Sequence, residues 1–133
     1  MIKNSNNPYY NLFHKQRSNQ FSIANTTYNQ RINKLNTLQR AIEITFREDI
    51  KEALYKDLGK PDVESEMTEI YQIVGDIKYA KNYLHKWMRN KKVPTPLSML
   101  GASSYIKYEA KGVCLIISPW NFPFNLTFGP LVS

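Results

Sequence analysis

Apolar positions fall at Ile32, Leu35, Leu38 and Ile42. Spacings of three and four lay a single stripe along a helix. A second run, Phe46, Ile50, Ala53, Leu54 and Leu58, repeats the pattern. Ahead of it, Thr45-Phe46-Arg47-Glu48 has the form of a capping box, in which a hydroxyl and a carboxylate satisfy each other's orphan backbone donors. Gly59 then predicts a left-handed helix end, and Pro61 blocks any continuation. The longest pattern follows: Val63, Met67, Ile70, Val74, Ile77, Leu84, Trp87 and Met88, with Ala80 and Lys81 filling the gap. This predicts an amphipathic helix of roughly seven turns, with its Met and Trp residues in the core stripe.

The period changes after Pro94 and Pro96, which end the helical region and open a linker through Gly101. Ser104 to Tyr108 alternates as a half-buried strand does. Gly112 punctuates, and Val113 to Ile117 is an unbroken apolar run. That run predicts a strand buried on both faces, as in the parallel sheet of an α/β fold, with Cys114 a core thiol inside it. Pro123 offers the first position of a following helix. The final Gly129-Pro130-Leu131-Val132-Ser133 is apolar, without cap or polar tail, and suggests a sequence that continues.

With 133 residues and 42% apolar content, the chain suits one ordinary domain and not a disordered polymer. No apolar stretch approaches the ~18 residues of a membrane span, and the start lacks the apolar region of a secretory signal. Cys114 alone forms neither an internal disulfide nor a metal site, so no metal is expected. The sequons at Asn25 and Asn125 are then chance matches, and a reducing cytoplasm fits. His14 and His85 have no metal partners in sequence and are expected at or near the surface.

The net charge of +7 is unevenly distributed: no acid precedes Glu43 and none lies between Asp76 and Glu109. Basic residues cluster before Arg40 and again from Lys78 to Lys92. Such clusters raise an alternative, a small basic helical interaction module that binds nucleic acid. The second cluster falls mostly on the polar face of the long helix, where a solvated face accounts for it.

The chemistry concentrates in 112-GVCLIISPWNFPFN-125. Ligands of open α/β sheets bind beyond the carboxyl ends of the strands, and Asn121 falls there between two prolines that stiffen the backbone. A fixed amide can donate to an oxygen that gains negative charge. It can equally cap the following helix. Local chemistry leaves both roles open.

The segment 111-KGVCLIISPWNFPFNLTFGPLVS-133 resembles the G-V-x-x-x-I-x-P-W-N-[FY]-P stretch of the aldehyde dehydrogenase superfamily. Upstream, 57-DLGKP-61, 68-TEI-70, 87-WM-88, 93-VPTPL-97 and 104-SYIKYEAKG-112 are similar to the class 3-like, fatty-aldehyde branch of that family, in order from about Phe13 onward. The resemblance implies an α/β, aldehyde dehydrogenase-like fold of which this chain is the N-terminal portion. Residues 1–98 would form the helical part of the nucleotide-binding domain, the first ~8 of them without order. Residues 99–111 would be a bridging strand of the hairpin that pairs subunits, and residues 112–133 the first strand and following helix of the nucleotide-binding sheet.

The same resemblance implies NAD(P)-dependent oxidation of an aldehyde to a carboxylic acid, with the complete enzyme a homodimer acting on a small-molecule aldehyde. Asn121 would stabilise the oxyanion, while Ile117, Ser118, Pro119 and Trp120 would line the nicotinamide-ribose side of the NAD or NADP site. The family's nucleophilic cysteine, water-activating glutamate and ribose-binding lysine follow the PWNFP segment. None is matched by Cys114 or by the glutamates present, so residues 1–133 alone are expected to be inactive. Neither nucleic acid nor a membrane segment enters this picture.

Overall fold

The computed structural model describes residues 7–133, which fall into two compact units. One takes in Met1–Thr27, described from Asn7, together with Met88–Leu115; the other takes in Tyr28–Trp87 and Ile116–Ser133. The expected disorder at the start falls mainly on residues 1–6, outside the described residues. Asn7 itself forms a turn: its side-chain oxygen accepts from Tyr9 N at 2.9 Å and its carbonyl from Tyr10 N at 3.0 Å.

In the first unit that turn leads into helix α1, Tyr10–Ala24, which buries no residue. No apolar stripe marks this helix in the sequence, because its apolar residues are interspersed among Asn, Gln and Ser. At its end Asn25 Nδ2 donates to Phe21 O at 2.9 Å and Thr26 Oγ1 to Ile23 O at 2.7 Å, satisfying the last carbonyls. Strands β1, Lys91–Val93, and β2, Ser104–Ile106, pair antiparallel with Lys91 opposite Ile106 and Val93 opposite Ser104. The expected strand over Ser104–Tyr108 is therefore present, shorter than predicted. Its partner Lys91–Val93 was hidden in a basic stretch. Between them, Ser104 N and the Thr95 hydroxyl are tied at 3.1 Å.

The expectation of a buried strand over Val113–Ile117 is corrected. No ladder hydrogen bonds form there among the described residues, and Leu115 is 83% exposed. Cys114 is exposed too, where a core thiol was expected. An apolar run becomes a strand only where another strand lies beside it, and none of the described segments does so.

The second unit holds the core. Helix α2, Tyr28–Arg40, runs directly into a π turn over Ala41–Thr45 and is followed by α3, Arg47–Leu58. Thr45 thus closes one helix instead of opening the next. The N-cap of α3 is Phe46, with no side-chain cap, and Glu48 pairs with Lys51 at 2.8 Å. The predicted capping box is not made. Gly59 ends α3 at φ 67°, as its sequence position requires. Lys51 also meets Asp62 at 3.3 Å, tying α3 to the next element; its amine is held above the usual lysine range chiefly by the Glu48 hydrogen bond.

The long helix is divided. Helix α4, Asp62–Ser65, passes through a π turn over Glu66–Ile70 into α5, Tyr71–Trp87. A π turn takes an extra residue and so advances the phase of the inward face. From its last residue onward Ile70, Ile73, Val74, Ile77, Ala80 and Leu84 are buried. Val63 upstream and Met67 inside the turn, predicted in the same stripe, are exposed at 75% and 56%, and in α4 the buried residue is Ser65. Trp87 and Met88 also lie outside the core; Trp87 instead stacks with Tyr83, at 6.2 Å between ring centroids.

Ile42, Ile70, Ile73, Val74 and Ile77 form the core cluster, with Leu35, Leu38, Ile50, Phe124, Phe128 and Val132 packed against it. Fully burying an aliphatic side chain contributes roughly 1.5–3 kcal/mol. The Phe and Val residues come from α6, Pro123–Val132, which lies against α5.

Candidate functional site

Pro123 opens α6, where its fixed φ suits the first turn and its missing N–H costs nothing. The remaining N-terminal amides still need acceptors. Asn121 does not supply one: the N-cap is Phe122, and no side chain of the local segment caps the helix. The acceptor comes instead from the π turn before α5. Glu69 Oε2 accepts from Asn125 N at 2.8 Å, and the Thr68 carbonyl accepts from Asn125 Nδ2 at 3.0 Å. A carboxylate at a helix N-terminus also meets the positive end of the helix dipole. Asn125 is thereby committed to structure, which removes any use of its sequon.

The other oxygen of Glu69 accepts from Lys60 Nζ, in an ion pair whose carboxylate is 0% exposed and whose ammonium side chain is 8% exposed. Lys60 donates a second hydrogen bond, 3.0 Å, to the backbone carbonyl of Asn121, and its ammonium lies 4.1 Å from the centroid of the Phe122 ring. A buried ion pair is tolerable only when its remaining donors and acceptors are satisfied, and here each contact goes to the turn that carries Asn121.

A third tie precedes that turn. Thr127 Oγ1 donates to Pro123 O at 2.6 Å, which uses its one proton. Ser118 Oγ, 2.6 Å from Thr127 Oγ1, is therefore the donor in that contact. Segment 118–125 is held at Ser118, at the Asn121 carbonyl and at Asn125. Between these points Pro119, Trp120 and the Asn121 side chain are exposed, and the Asn121 amide makes no hydrogen bond among the described residues. Its backbone is fixed while its donors are uncommitted.

The predicted cofactor-lining residues lead up to this point. Ile117 and Trp120 are 84% and 79% exposed, Pro119 is exposed, and Ser118 is half-buried through its tie to Thr127. Both Glu69 oxygens are occupied, one by Lys60 and one by the Asn125 amide. No cluster of metal-ligating side chains occurs among the described residues. None of the described helices is long and apolar enough to cross a membrane.

Sequence reasoning missed Lys60 and Glu69. Two signals were available: a glutamate beside Ile70 on a helix face otherwise apolar, and a lysine immediately after the Gly59 stop. The histidines lie exposed as expected, His14 against Tyr10 at 4.2 Å and His85 against Tyr28 at 5.8 Å between centroids.

Comparison with known proteins gives a consistent result. The family model described as "Aldehyde dehydrogenase family" matches residues 10–133. The 4,4'-diaponeurosporen-aldehyde dehydrogenase of Staphylococcus aureus is 46% identical over 100 residues, covering 75% of this chain and 22% of that protein. Human aldehyde dehydrogenase family 3 member B1 is 41% identical over 84 residues, covering 63% of this chain and 18% of that protein. Among solved structures, the substrate-bound state of Staphylococcus aureus AldH superposes with a TM-score of 0.88 at 39% identity, covering 95% of this chain and 27% of that one. The chain thus spans about a quarter or less of the length of these relatives.

Proposed function

The chain belongs to the aldehyde dehydrogenase family, and from that premise we propose that it serves NAD(P)-dependent oxidation of an aldehyde to a carboxylic acid, with Asn121 as the side-chain oxyanion donor. The observation that carries this is the state of Asn121, whose carbonyl is bound by a buried lysine while its amide is exposed and uncommitted. When a cysteine thiolate adds to the aldehyde, the carbonyl oxygen gains negative charge. A donor already fixed at that point stabilises the adduct without reorganising during the reaction. Removing one such donor costs on the order of 10²–10³ in kcat.

Ile117, Ser118, Pro119 and Trp120 would hold the nicotinamide-ribose part of NAD or NADP, offering the apolar faces of Ile117 and Trp120 beside backbone carbonyls. The bound nicotinamide would accept the hydride. The family resemblance places the nucleophilic cysteine and the water-activating glutamate after the PWNFP segment. Residues 1–133 therefore contribute the oxyanion donor and not the nucleophile, and Cys114 is not assigned that role. The hairpin β1–β2 is proposed to pair subunits in a homodimer, and the protein to work in the cytoplasm.

The test uses the full polypeptide that carries residues 1–133, incubated with an aldehyde and NAD or NADP. Formation of reduced nicotinamide in step with carboxylic acid is the expected result. Absence of aldehyde-dependent reduction with either cofactor, across short and long aldehydes, overturns the assignment. Purified residues 1–133 are expected to give none.

A further inference from the structure

We propose that the buried pair Lys60–Glu69 is the positioning device of the active site, fixing where the Asn121 amide points. This inference rests on the oxyanion role of Asn121 and adds two residues that act through it.

The geometry carries the proposal. Segment 121–125 leads into the first turn of α6, and its two ends are gripped by one ion pair. Lys60 binds the Asn121 carbonyl at 3.0 Å, Glu69 binds the Asn125 amide at 2.8 Å, and the two side chains bind each other. The Phe122 ring, between the two gripped residues, lies 4.1 Å from the ammonium. Helix packing alone requires none of this. A helix start can be capped by its own N-cap side chain, at less cost than desolvating two charges.

Here a local cap is absent, and the acceptor comes from a π turn that places Glu69 inward beside Ile70. The consequence is specific to Asn121: its side chain is released from capping while its backbone is held by a buried donor. Displacements near one ångström at a catalytic group reduce rates by about 10²-fold. Loss of the pair should therefore lower kcat without removing a contact to substrate or cofactor.

A double-mutant cycle in the full polypeptide separates this role from mere support of the fold. Lys60→Met with Glu69→Gln removes both charges, so neither is left buried alone, and the glutamine oxygen still accepts from Asn125 N. This variant is expected to lose roughly 10–100-fold in kcat, with KM for aldehyde and cofactor changed less than about threefold. In an Asn121→Ala background, the same pair of substitutions should cost less than about threefold more, because the group they position is gone. An equal fold-loss in both backgrounds overturns the proposal, since it places the effect elsewhere.

If the Met/Gln variant does not fold by circular dichroism, Lys60→Arg serves. It keeps the charge but shifts the donor away from the Asn121 carbonyl, and wild-type kcat in that folded variant equally overturns the proposal. The Asn121→Ala single variant reports separately on the oxyanion reading. If it retains full kcat, that reading fails first and the positioning role falls with it.

Discussion

The two compact units place their apolar residues in opposite ways. Among the described residues, the eight buried hydrophobic ones, Leu54 and the seven named above from Ile42 to Leu84, lie in the unit formed by Tyr28–Trp87 and Ile116–Ser133. In the unit built on α1 and the hairpin, no described residue is buried, while Phe21, Leu97, Leu100 and Tyr108 are largely exposed. The first arrangement sustains a fixed backbone, because a packed interior resists displacement. The second leaves apolar side chains such as Phe21 and Leu97 without a packed interior around them. A donor that must stay fixed belongs in the first kind of unit, and Asn121 is found there.

Substitutions in the two units should differ in cost. Lys60→Ala leaves the Glu69 carboxylate buried and unpaired, and should destabilise the chain by about 3–5 kcal/mol in a urea titration. A loss below about 1 kcal/mol would mean that the pair is solvated. Ile77→Ala, at a fully buried position, should cost about 2–5 kcal/mol, while Phe21→Ala in the other unit should stay within about 0.5 kcal/mol. Equal costs for the two would erase the distinction between the units.

Gly59→Ala should cost about 1–2 kcal/mol by thermal melting. Its φ of 67° disfavours a Cβ although no atom lies within 4 Å of one, so the penalty is purely conformational. The smallest effect has the opposite sign. Ser65 Oγ is fully buried without a partner among the described residues, and Ser65→Ala should stabilise by about 1 kcal/mol.

What the sequence disclosed, and what it withheld, follows the same physical division. Elements whose signals are local were legible: the Gly59 stop, the helical period from Ile70 to Leu84, the strand at Ser104 and the Pro123 start. The PWNFP segment carried the family. Elements that depend on distant partners were not legible. The π turn at Glu66–Ile70 shifts the helical phase, so Val63 and Met67 were assigned to a face they do not share. The Val113–Ile117 run has the composition of a buried strand, but a ladder requires a neighbour. Thr45-Phe46-Arg47-Glu48 matched a capping pattern that the preceding π turn pre-empts. Lys60 and Glu69 are nine residues apart, and they meet each other and segment 121–125 only through tertiary packing. No local pattern records that meeting, and local chemistry had left Asn121 open between donor and cap.

The central claim is that Asn121 is a donor to developing charge and not a helix cap. The most direct measurement is kcat and KM of Asn121→Ala in the full polypeptide, alongside its melting temperature. Its kcat should fall by roughly 10²–10³ with KM and melting temperature nearly unchanged, because the amide holds nothing in the resting fold. Unchanged kcat accompanied by a lowered melting temperature would return Asn121 to a structural role and contradict the account.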